Sequence, residues 1–226
     1  MRSKCANMSL KSYAKILTFG KGKEFYPLGK LISSGNRKLP KSTGIFNMGS
    51  AHDCPSLKLG LCQAYTVKGK HCCYAKKAET SMRPQVEPFR NRQKKFWLSV
   101  TAEEFVSQFL IINALKEKPF EALRINESGD FWSQKCVDKI EKIATILKPY
   151  GVKVYGYTSR SDLDYSKVRN FILSGTNFQT KGVSNQFRMV EDVKRDKPKG
   201  WGVCKGDCKI CNRCMVRGYK TVVLRH

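Results

Sequence analysis

Four cysteines near the carboxyl end constrain the fold and chemistry of this chain more than any other feature of its sequence. Cys204, Cys208, Cys211 and Cys214 follow the spacing Cys-x3-Cys-x2-Cys-x2-Cys, which brings four thiols into eleven residues. Such a run suits metal ligation better than core packing or disulfide pairing. Structural zinc usually takes two close pairs with a longer loop between them, whereas iron–sulfur clusters accept closely spaced cysteines. The spacing therefore predicts a metal site, with an iron–sulfur cluster preferred to Zn2+.

A second group of cysteines lies in the first third of the chain. Cys54 and Cys62 precede the adjacent pair Cys72 and Cys73, and the spacing within the group is irregular. We expect these cysteines to be metal ligands as well. Two arrangements are open: the group forms a site of its own, or some of its members complete the site at residues 204–214.

Neither a secretion signal nor a membrane span is apparent. The first residues lack the apolar centre of a signal peptide, and no apolar run reaches the length of about eighteen residues that a membrane helix needs. We therefore expect a cytoplasmic protein without membrane contact. A reducing compartment keeps thiols free, so clustered cysteines there hold metal more often than they form disulfides.

The charge of the chain is strongly one-sided. It has 43 Lys and Arg against 18 Asp and Glu, a formal net charge of +25. Residues 1–100 carry 20 basic and 4 acidic side chains and residues 151–226 carry 16 and 6, whereas residues 101–150 carry 7 and 8. An excess of one sign repels itself unless it meets a polyanion, and nucleic acid is the usual one. We expect a nucleic-acid partner, DNA in preference to RNA.

The middle of the chain alternates between strand and helix patterns. Strands are predicted at residues 13–19, 44–48, 122–126 and 152–158, and helices at 88–100, from Thr101 with Glu104 as a capping box, from Ser133, and at 165–173. This alternation implies a parallel sheet with right-handed crossovers. A full eightfold barrel needs about 250 residues. We therefore predict an α/β fold with a partial or trimmed (β/α) barrel-like parallel sheet.

The two cysteine groups flank this α/β middle. We predict a single α/β domain over residues 1–226, with cysteine-rich metal-binding segments at residues 51–82 and 200–217.

Two acidic loops each follow a predicted strand. Glu127 and Asp130 come after one strand, and Asp162 and Asp164 come after the next. Functional loops of parallel sheets lie beyond the carboxyl ends of the strands, so these four carboxylates are candidate catalytic residues. The plain alternative is that Asp130 closes a turn and Asp162 caps a helix.

Several short motifs follow one another along most of residues 40–216. They are Cys54-Pro55, Cys62, Cys73-Tyr74-Ala75-Lys76, Arg90-Asn91, the segment from Arg124 to Phe131, and the four cysteines at 204–214. In this order they resemble the phage gene product 88 family. The resemblance implies a bacteriophage protein that acts in the host cytoplasm. Cys72 doubles a single cysteine of the family pattern, which leaves open which of Cys72 and Cys73 is the ligand.

The segment Glu127-Ser128-Gly129-Asp130-Phe131 is also similar to the Asp-Ser-Gly-Gly-Phe segment of tRNA-guanine transglycosylases and their DNA-acting relatives. This resemblance implies a (β/α) barrel with a zinc site and an aspartate nucleophile that exchanges guanine for a 7-deazaguanine. Asp130 with Asp162 or Asp164 would supply the two carboxylates that base exchange needs. A flipped base also needs aromatic rings to stack on. The candidates for stacking are Phe131, Trp132, Tyr155 and Tyr157.

Three functions are therefore open. The first is a phage nucleic-acid-modifying enzyme, most concretely a DNA guanine transglycosylase. The second is an iron–sulfur enzyme of the radical S-adenosylmethionine or redox type that acts on nucleic acid. Cys204, Cys208 and Cys211 match the cysteine spacing of radical S-adenosylmethionine enzymes, which however carry it near the amino end, after the first strand. The third is a non-catalytic DNA- or RNA-binding protein stabilised by metal.

Overall fold

The structure is a computed structural model that describes residues 28–62, 73–80 and 84–224. These residues form a mixed α/β fold with a mostly parallel sheet of eight strands. The strands are β1 (Ser33–Ser34), β2 (Thr43–Phe46), β3 (Ala122–Ile125), β4 (Lys153–Thr158), β5 (Ile172–Thr176), β6 (Asn185–Val190), β7 (Gly202–Val203) and β8 (Lys220–Leu224).

Helices of very different lengths join the strands. They are α1 (Pro55–Lys58), α2 (Tyr74–Thr80), α3 (Val86–Ser99), α4 (Ala102–Leu115), α5 (Gln134–Leu147) and α6 (Val193–Asp196), with 3-10 turns at Leu28–Lys30, Lys148–Tyr150 and Arg213–Met215. None of the helices in the described ranges has the length and apolar character that crossing a membrane requires.

Six parallel strands lie side by side in the sheet in the order in which the chain forms them: β2, β3, β4, β5, β6 and β8. β1 pairs with β2 in the antiparallel sense, and β7 pairs with the far side of β8. A barrel has this sequential order, whereas a doubly wound sheet reverses its order at a switch point. Within the described residues the sheet is open, with β1 and β7 as its edges. The prediction of an α/β fold with a parallel sheet is confirmed.

One face of the sheet carries the hydrophobic core. Phe46, Leu123, Ile125, Val154 and Leu173 point from this face into a buried cluster that side chains of α3, α4 and α5 complete. Residues paired in register on parallel strands point to the same side, so the residues between these core positions lie on the opposite face. The sheet therefore separates an apolar face under the helices from a second face with different chemistry.

The predicted capping box at the start of α4 is confirmed. The Thr101 hydroxyl accepts a hydrogen bond from the backbone N–H of Glu104, and the Glu104 carboxylate accepts one from the backbone N–H of Thr101. These bonds satisfy two groups at the helix end that would otherwise lack partners. Ser133 stands at the N-cap of α5 as predicted, but its side chain makes no capping bond there.

The predicted helix at residues 165–173 is wrong. Its last two residues begin strand β5, and the residues before them form turns. Tyr165 and Val168 are three residues apart and both buried, which imitates the apolar stripe of a helix. Here a loop that folds onto the core places them there instead. The strand predicted at residues 13–19 lies outside the described residues.

Gly129 forms a turn beyond β3 where a side chain does not fit. Its φ is +72°, and a Cβ at this position would lie 2.9 Å from the backbone oxygen of Gly49. Gly151 has a similar φ of +75°, yet a Cβ there would meet no atom within 4 Å. A side chain would strain the backbone at both glycines, but only at Gly129 would it also collide with a neighbouring loop.

We expect Gly129→Ala to lower the free energy of unfolding by about 3 kcal/mol and Gly151→Ala by about 1 kcal/mol. Both changes strain a left-handed backbone, but only the first also collides with the neighbouring loop. Urea unfolding followed by circular dichroism measures both values. Equal losses in the two variants would contradict the close approach of Gly129 to Gly49.

Candidate functional site

The candidate site lies at the edge of the sheet where β2, β3 and β4 end. Residues 126–131 follow β3 and residues 159–164 follow β4, so both acidic loops lie at this edge, as the sequence predicts. The loop that follows β2 joins them. Asn47 in that loop accepts a hydrogen bond from the backbone N–H of Ser128 at 2.8 Å. The three loops therefore form one connected structure.

Asp130 is the buried centre of this edge. One carboxylate oxygen accepts hydrogen bonds from the Ser56 hydroxyl at 2.6 Å and the Ser159 N–H at 2.9 Å. The other accepts from the Thr158 hydroxyl at 2.7 Å and the Phe131 N–H at 2.8 Å. Burial raises the pKa of Asp130, and these four hydrogen bonds act against the increase. Both oxygens of Asp130 are occupied by hydrogen bonds that anchor the surrounding loops. This arrangement does not favour nucleophilic attack by the carboxylate.

The other candidate carboxylates are held by local partners. Asp162 makes two hydrogen bonds of 2.8 Å to the Arg160 guanidinium, which keeps the pKa of Asp162 below its usual value. Asp164 accepts hydrogen bonds from the backbone and side chain of Ser166, which lower its pKa. Glu127 is bonded to the Asn36 side chain. None of these three carboxylates shares a hydrogen-bond donor with Asp130 in the described residues, and the catalytic roles of all four remain predictions.

Three of the candidate stacking rings are engaged in the structure. Phe131 is fully buried in the core, with its ring centroid 6.2 Å from that of Phe171, and therefore has no face for a base. Trp132 donates its Nε1–H to the Met48 oxygen at 2.7 Å, and the Lys94 ammonium lies 3.7 Å from its ring centroid. Tyr155 is buried as well. These rings stabilise the site but do not offer an open stacking surface.

Glu79 is a second buried carboxylate, and sequence reasoning missed it. Its oxygens accept hydrogen bonds from the Ala51 N–H at 2.8 Å, from the Ser128 hydroxyl at 3.2 Å and from the Arg90 guanidinium at 2.7 Å. Arg90 also donates to the Ala75 oxygen. This pair joins α2 and α3 to the loops that follow β2 and β3. The one signal in the sequence is the Arg90-Asn91 motif of the family pattern.

The amino-terminal cysteines surround the same edge. Cys54 occupies the N-cap position of α1 without a side-chain capping bond, and Cys73 directly precedes α2. Burial, with smaller contributions from the nearby Asp130 carboxylate and Cys62 thiol, raises the pKa of Cys54 to about 12. Cys54 and Cys62 are therefore electrostatic neighbours at the end of β2. Cys72 lies outside the described residues.

The carboxyl-terminal cysteines cover the face of the sheet opposite the helices. The 3-10 turn that contains Cys214 packs over β4 and β5, and the Tyr157 hydroxyl donates a hydrogen bond to the Cys214 sulfur at 2.6 Å. Burial raises the pKa of Cys208, and the neighbouring thiols of Cys214, Cys204 and Cys211 raise it further. All four thiols of the motif therefore lie within electrostatic range of one another.

Arg124 lies on that face beneath the cysteine segment and has no carboxylate partner among the described residues. Its guanidinium carbon is 4.2 Å from the ring centroid of Tyr157, and its Nε is buried without a hydrogen-bond partner in the described part of the chain. Its positive charge opposes the rise in the pKa of Cys214 that burial causes. It also interacts with Tyr74, the residue after Cys73. A partly buried cation thus interacts with both cysteine-bearing regions.

No group of three or more His, Cys, Asp and Glu side chains is arranged to hold a metal ion within residues 28–62, 73–80 and 84–224. The four carboxyl-terminal thiols are neighbours, and so are those of Cys54 and Cys62. The chemistry of the donors still fits a soft metal or an iron–sulfur cluster, because every clustered ligand candidate is a thiol. The predicted metal sites remain predictions.

A family model described as Gene product 88 matches residues 22–179. The chain belongs to this family. The matched range contains the amino-terminal cysteines, Glu79, Arg90 and both acidic loops, and it suggests a bacteriophage origin. It ends before Cys204, so the carboxyl-terminal cysteines lie beyond the part that the family match covers.

Searches of curated proteins and of solved structures found no match. The likeness of one segment to guanine transglycosylases thus gains no support from the comparisons.

We expect Arg90→Leu to lower the free energy of unfolding by about 3 to 5 kcal/mol, because it leaves the buried Glu79 carboxylate without its cation. Lys95→Leu on the exposed side of the same helix is the control and should change the value by less than about 0.5 kcal/mol. Chemical denaturation of both variants provides the comparison. A loss in Arg90→Leu no larger than that of the control would contradict the clamping role of the pair.

Proposed function

We propose that this chain is an iron–sulfur enzyme of the radical S-adenosylmethionine type that acts on nucleic acid. The observation that carries the proposal is the position of the amino-terminal cysteines. Cys54 and Cys62 follow β2, the first of six parallel strands in sequential order, and Cys73 comes next along the chain. Radical S-adenosylmethionine enzymes bear their three cluster-binding cysteines after the first strand. In this chain Cys54, Cys62 and Cys73 are farther apart in sequence than the Cys-x3-Cys-x2-Cys spacing of those enzymes.

The surroundings of these cysteines support the proposal. The hydrogen bonds of Glu79 and Asp130 fix the loop that leads from β2 to Cys54, so the first ligand has a rigid support. Ligands held by buried hydrogen bonds orient a bound group better than ligands on a free loop. Cys62 and Cys73 would be the other two ligands of this cluster. Ligation of this kind commonly completes a site that is not preformed.

The carboxyl-terminal cysteines fit a second cluster. A cluster bound by four thiolates is negatively charged, and the partly buried guanidinium of Arg124 would compensate part of that charge. The Tyr157 hydroxyl, already bonded to the Cys214 sulfur, would stabilise the thiolate further. Charges and hydrogen bonds near the sulfur atoms are the levers by which a protein sets the potential of a cluster. Zn2+ remains the alternative for this segment.

Nucleic acid is the substrate class that the charge supports. The net charge of +25 favours binding to a polyanion, because a polyanion relieves the repulsion among the basic side chains. DNA is proposed in preference to RNA because a phage protein in the host cytoplasm meets phage DNA during replication.

The proposed reaction requires an external reductant that donates one electron at a time. Held by Cys54, Cys62 and Cys73, a cluster would supply the one-electron reduction of S-adenosylmethionine, whose products would be methionine and, with a hydrogen atom taken from the substrate, 5′-deoxyadenosine. The substrate radical left behind would be quenched by a second electron from the reductant and a proton from solvent. The protein contributes the cluster ligands, a water-poor edge and the surface that holds the nucleic acid.

We expect protein purified without oxygen to be brown, to contain iron and sulfide, and to form 5′-deoxyadenosine and methionine when it receives dithionite and S-adenosylmethionine. Cys54→Ser should reduce formation of 5′-deoxyadenosine to background. Cys136→Ala should retain it, because Cys136 packs in the core against Trp97 and is no ligand. Mass spectrometry of both small products checks the result.

Two outcomes would contradict the proposal. One is a colourless protein that contains zinc in place of iron. The other is a brown protein that forms no 5′-deoxyadenosine with or without DNA. Tight, salt-dependent DNA binding together with either outcome would favour the non-catalytic binding protein.

A further inference from the structure

Two cavities adjoin at the end of the sheet that the long helices leave uncovered. The first encloses about 210 Å³ and lies beside β6, and the second encloses about 540 Å³ beside the start of β7 and β8. Trp201, which directly precedes β7, lines both of them. Gly200 and Gly218 line the second, and open space surrounds the positions where their side chains would be. The indole is therefore reachable from two sides of a cleft.

Arg188 fixes the indole from one side. Its guanidinium carbon lies 5.1 Å from the ring centroid of Trp201, a cation–π contact. Such a contact holds the ring in one orientation, which lowers the entropy cost of stacking a second flat group upon it. Tyr219 lines the second cavity, and Arg213 lies 6.0 Å from its ring centroid. Two aromatic rings, each beside a guanidinium, therefore line one cleft.

The charge of the cleft is positive throughout. Arg188, Arg213, Lys197 and Lys220 line the two cavities, and none of the lining residues is acidic. None of the ion pairs found in the described residues involves these four cations.

Two acidic side chains close to Lys197 along the chain are occupied. Asp196 pairs with Arg195, and Asp192 caps α6 by accepting the backbone N–H groups of Lys194 and Arg195. The four cations therefore give the cleft the positive charge that an anionic ligand requires.

From this combination we infer that the cleft around Trp201 binds single-stranded nucleic acid. A base stacks on Trp201, and the flanking phosphates contact Arg188, Arg213 and Lys220. Aromatic platforms within a basic groove recognise single strands because every base has a flat face and every nucleotide a phosphate. A duplex keeps its bases stacked on one another and offers none to the indole. The inference rests on the proposed function only in the choice of nucleic acid as partner.

The test measures fluorescence anisotropy of a short fluorescein-labelled single-stranded DNA, the RNA of the same sequence, and the DNA duplex. It uses the full chain without reductant and without S-adenosylmethionine, so it is independent of catalysis. Trp201→Ala should weaken single-strand binding by about 10- to 100-fold, the effect of removing one stacking platform. Arg213→Gln and Lys220→Gln should each weaken binding and lower the slope of log Kd against log salt by about one.

Two variants serve as controls. Tyr150→Ala removes an exposed ring and Lys118→Gln an exposed cation, both next to the starts of other strands and far from the cavities along the sheet. Both should bind as the unchanged protein does. The glutamine variants at exposed Arg213 and Lys220 keep the test decisive if Trp201→Ala does not fold.

Unchanged affinity in folded Trp201→Ala, Arg213→Gln and Lys220→Gln would overturn the inference. Tighter binding of the duplex than of either single strand would also overturn it. Loss of 5′-deoxyadenosine formation with intact strand binding would count only against the proposed catalysis. Stronger binding of RNA than of DNA would leave the cleft assigned to single strands and identify RNA as its ligand.

Discussion

The buried carboxylate of Glu79 is the interaction on which the functional edge of the sheet depends. It accepts hydrogen bonds from the loops after β2 and β3, and Arg90 neutralises its charge. These contacts fix the positions of α2, α3 and the two loops relative to one another. A buried charge without these partners would cost several kcal/mol, roughly 3 to 5, which makes the arrangement cooperative. Asp130 is a second buried carboxylate of this kind, one strand further along the sheet. Its hydrogen bonds join α1 to the loop that follows β4. Asp130, a catalytic candidate from the sequence, thus helps Glu79 to hold the cysteine-bearing loop in place.

The two faces of the sheet have different physical chemistry. One face is covered by aromatic and aliphatic side chains of three helices. The other carries Arg124, Tyr155 and Tyr157 beneath the carboxyl-terminal cysteines. A guanidinium stacked on two phenol rings, with one nitrogen unbonded within the described residues, is poised for a negative charge. The thiolates of a bound cluster would supply that charge, and this complementarity links the fold to the proposed cofactor.

The sequence predicts local structure well where the signal is local. The capping box of Thr101 and Glu104 and the strands that end at Ile125 and Thr158 depend on neighbouring residues, and the structure confirms them. The spacing of Tyr165 and Val168 misleads because a loop packed on the core can bury the same positions as a helix. Glu79 is missed because a carboxylate in a lysine-rich helix looks solvated, and only the distant Arg90 and Ser128 reveal its burial. The position of the acidic loops follows from topology, but their hydrogen-bond partners come from separate strands and cannot be derived from spacing.

The iron K-edge X-ray absorption spectrum of protein purified without oxygen tests the cluster assignment most directly. Thiolate-bound clusters predict sulfur neighbours around iron together with a nearby second iron, and a smaller iron content in both Cys54→Ser and Cys214→Ser. Zinc in an all-sulfur environment, or iron surrounded by oxygen and nitrogen and unaffected by either substitution, would contradict the assignment of the cysteines to iron–sulfur clusters.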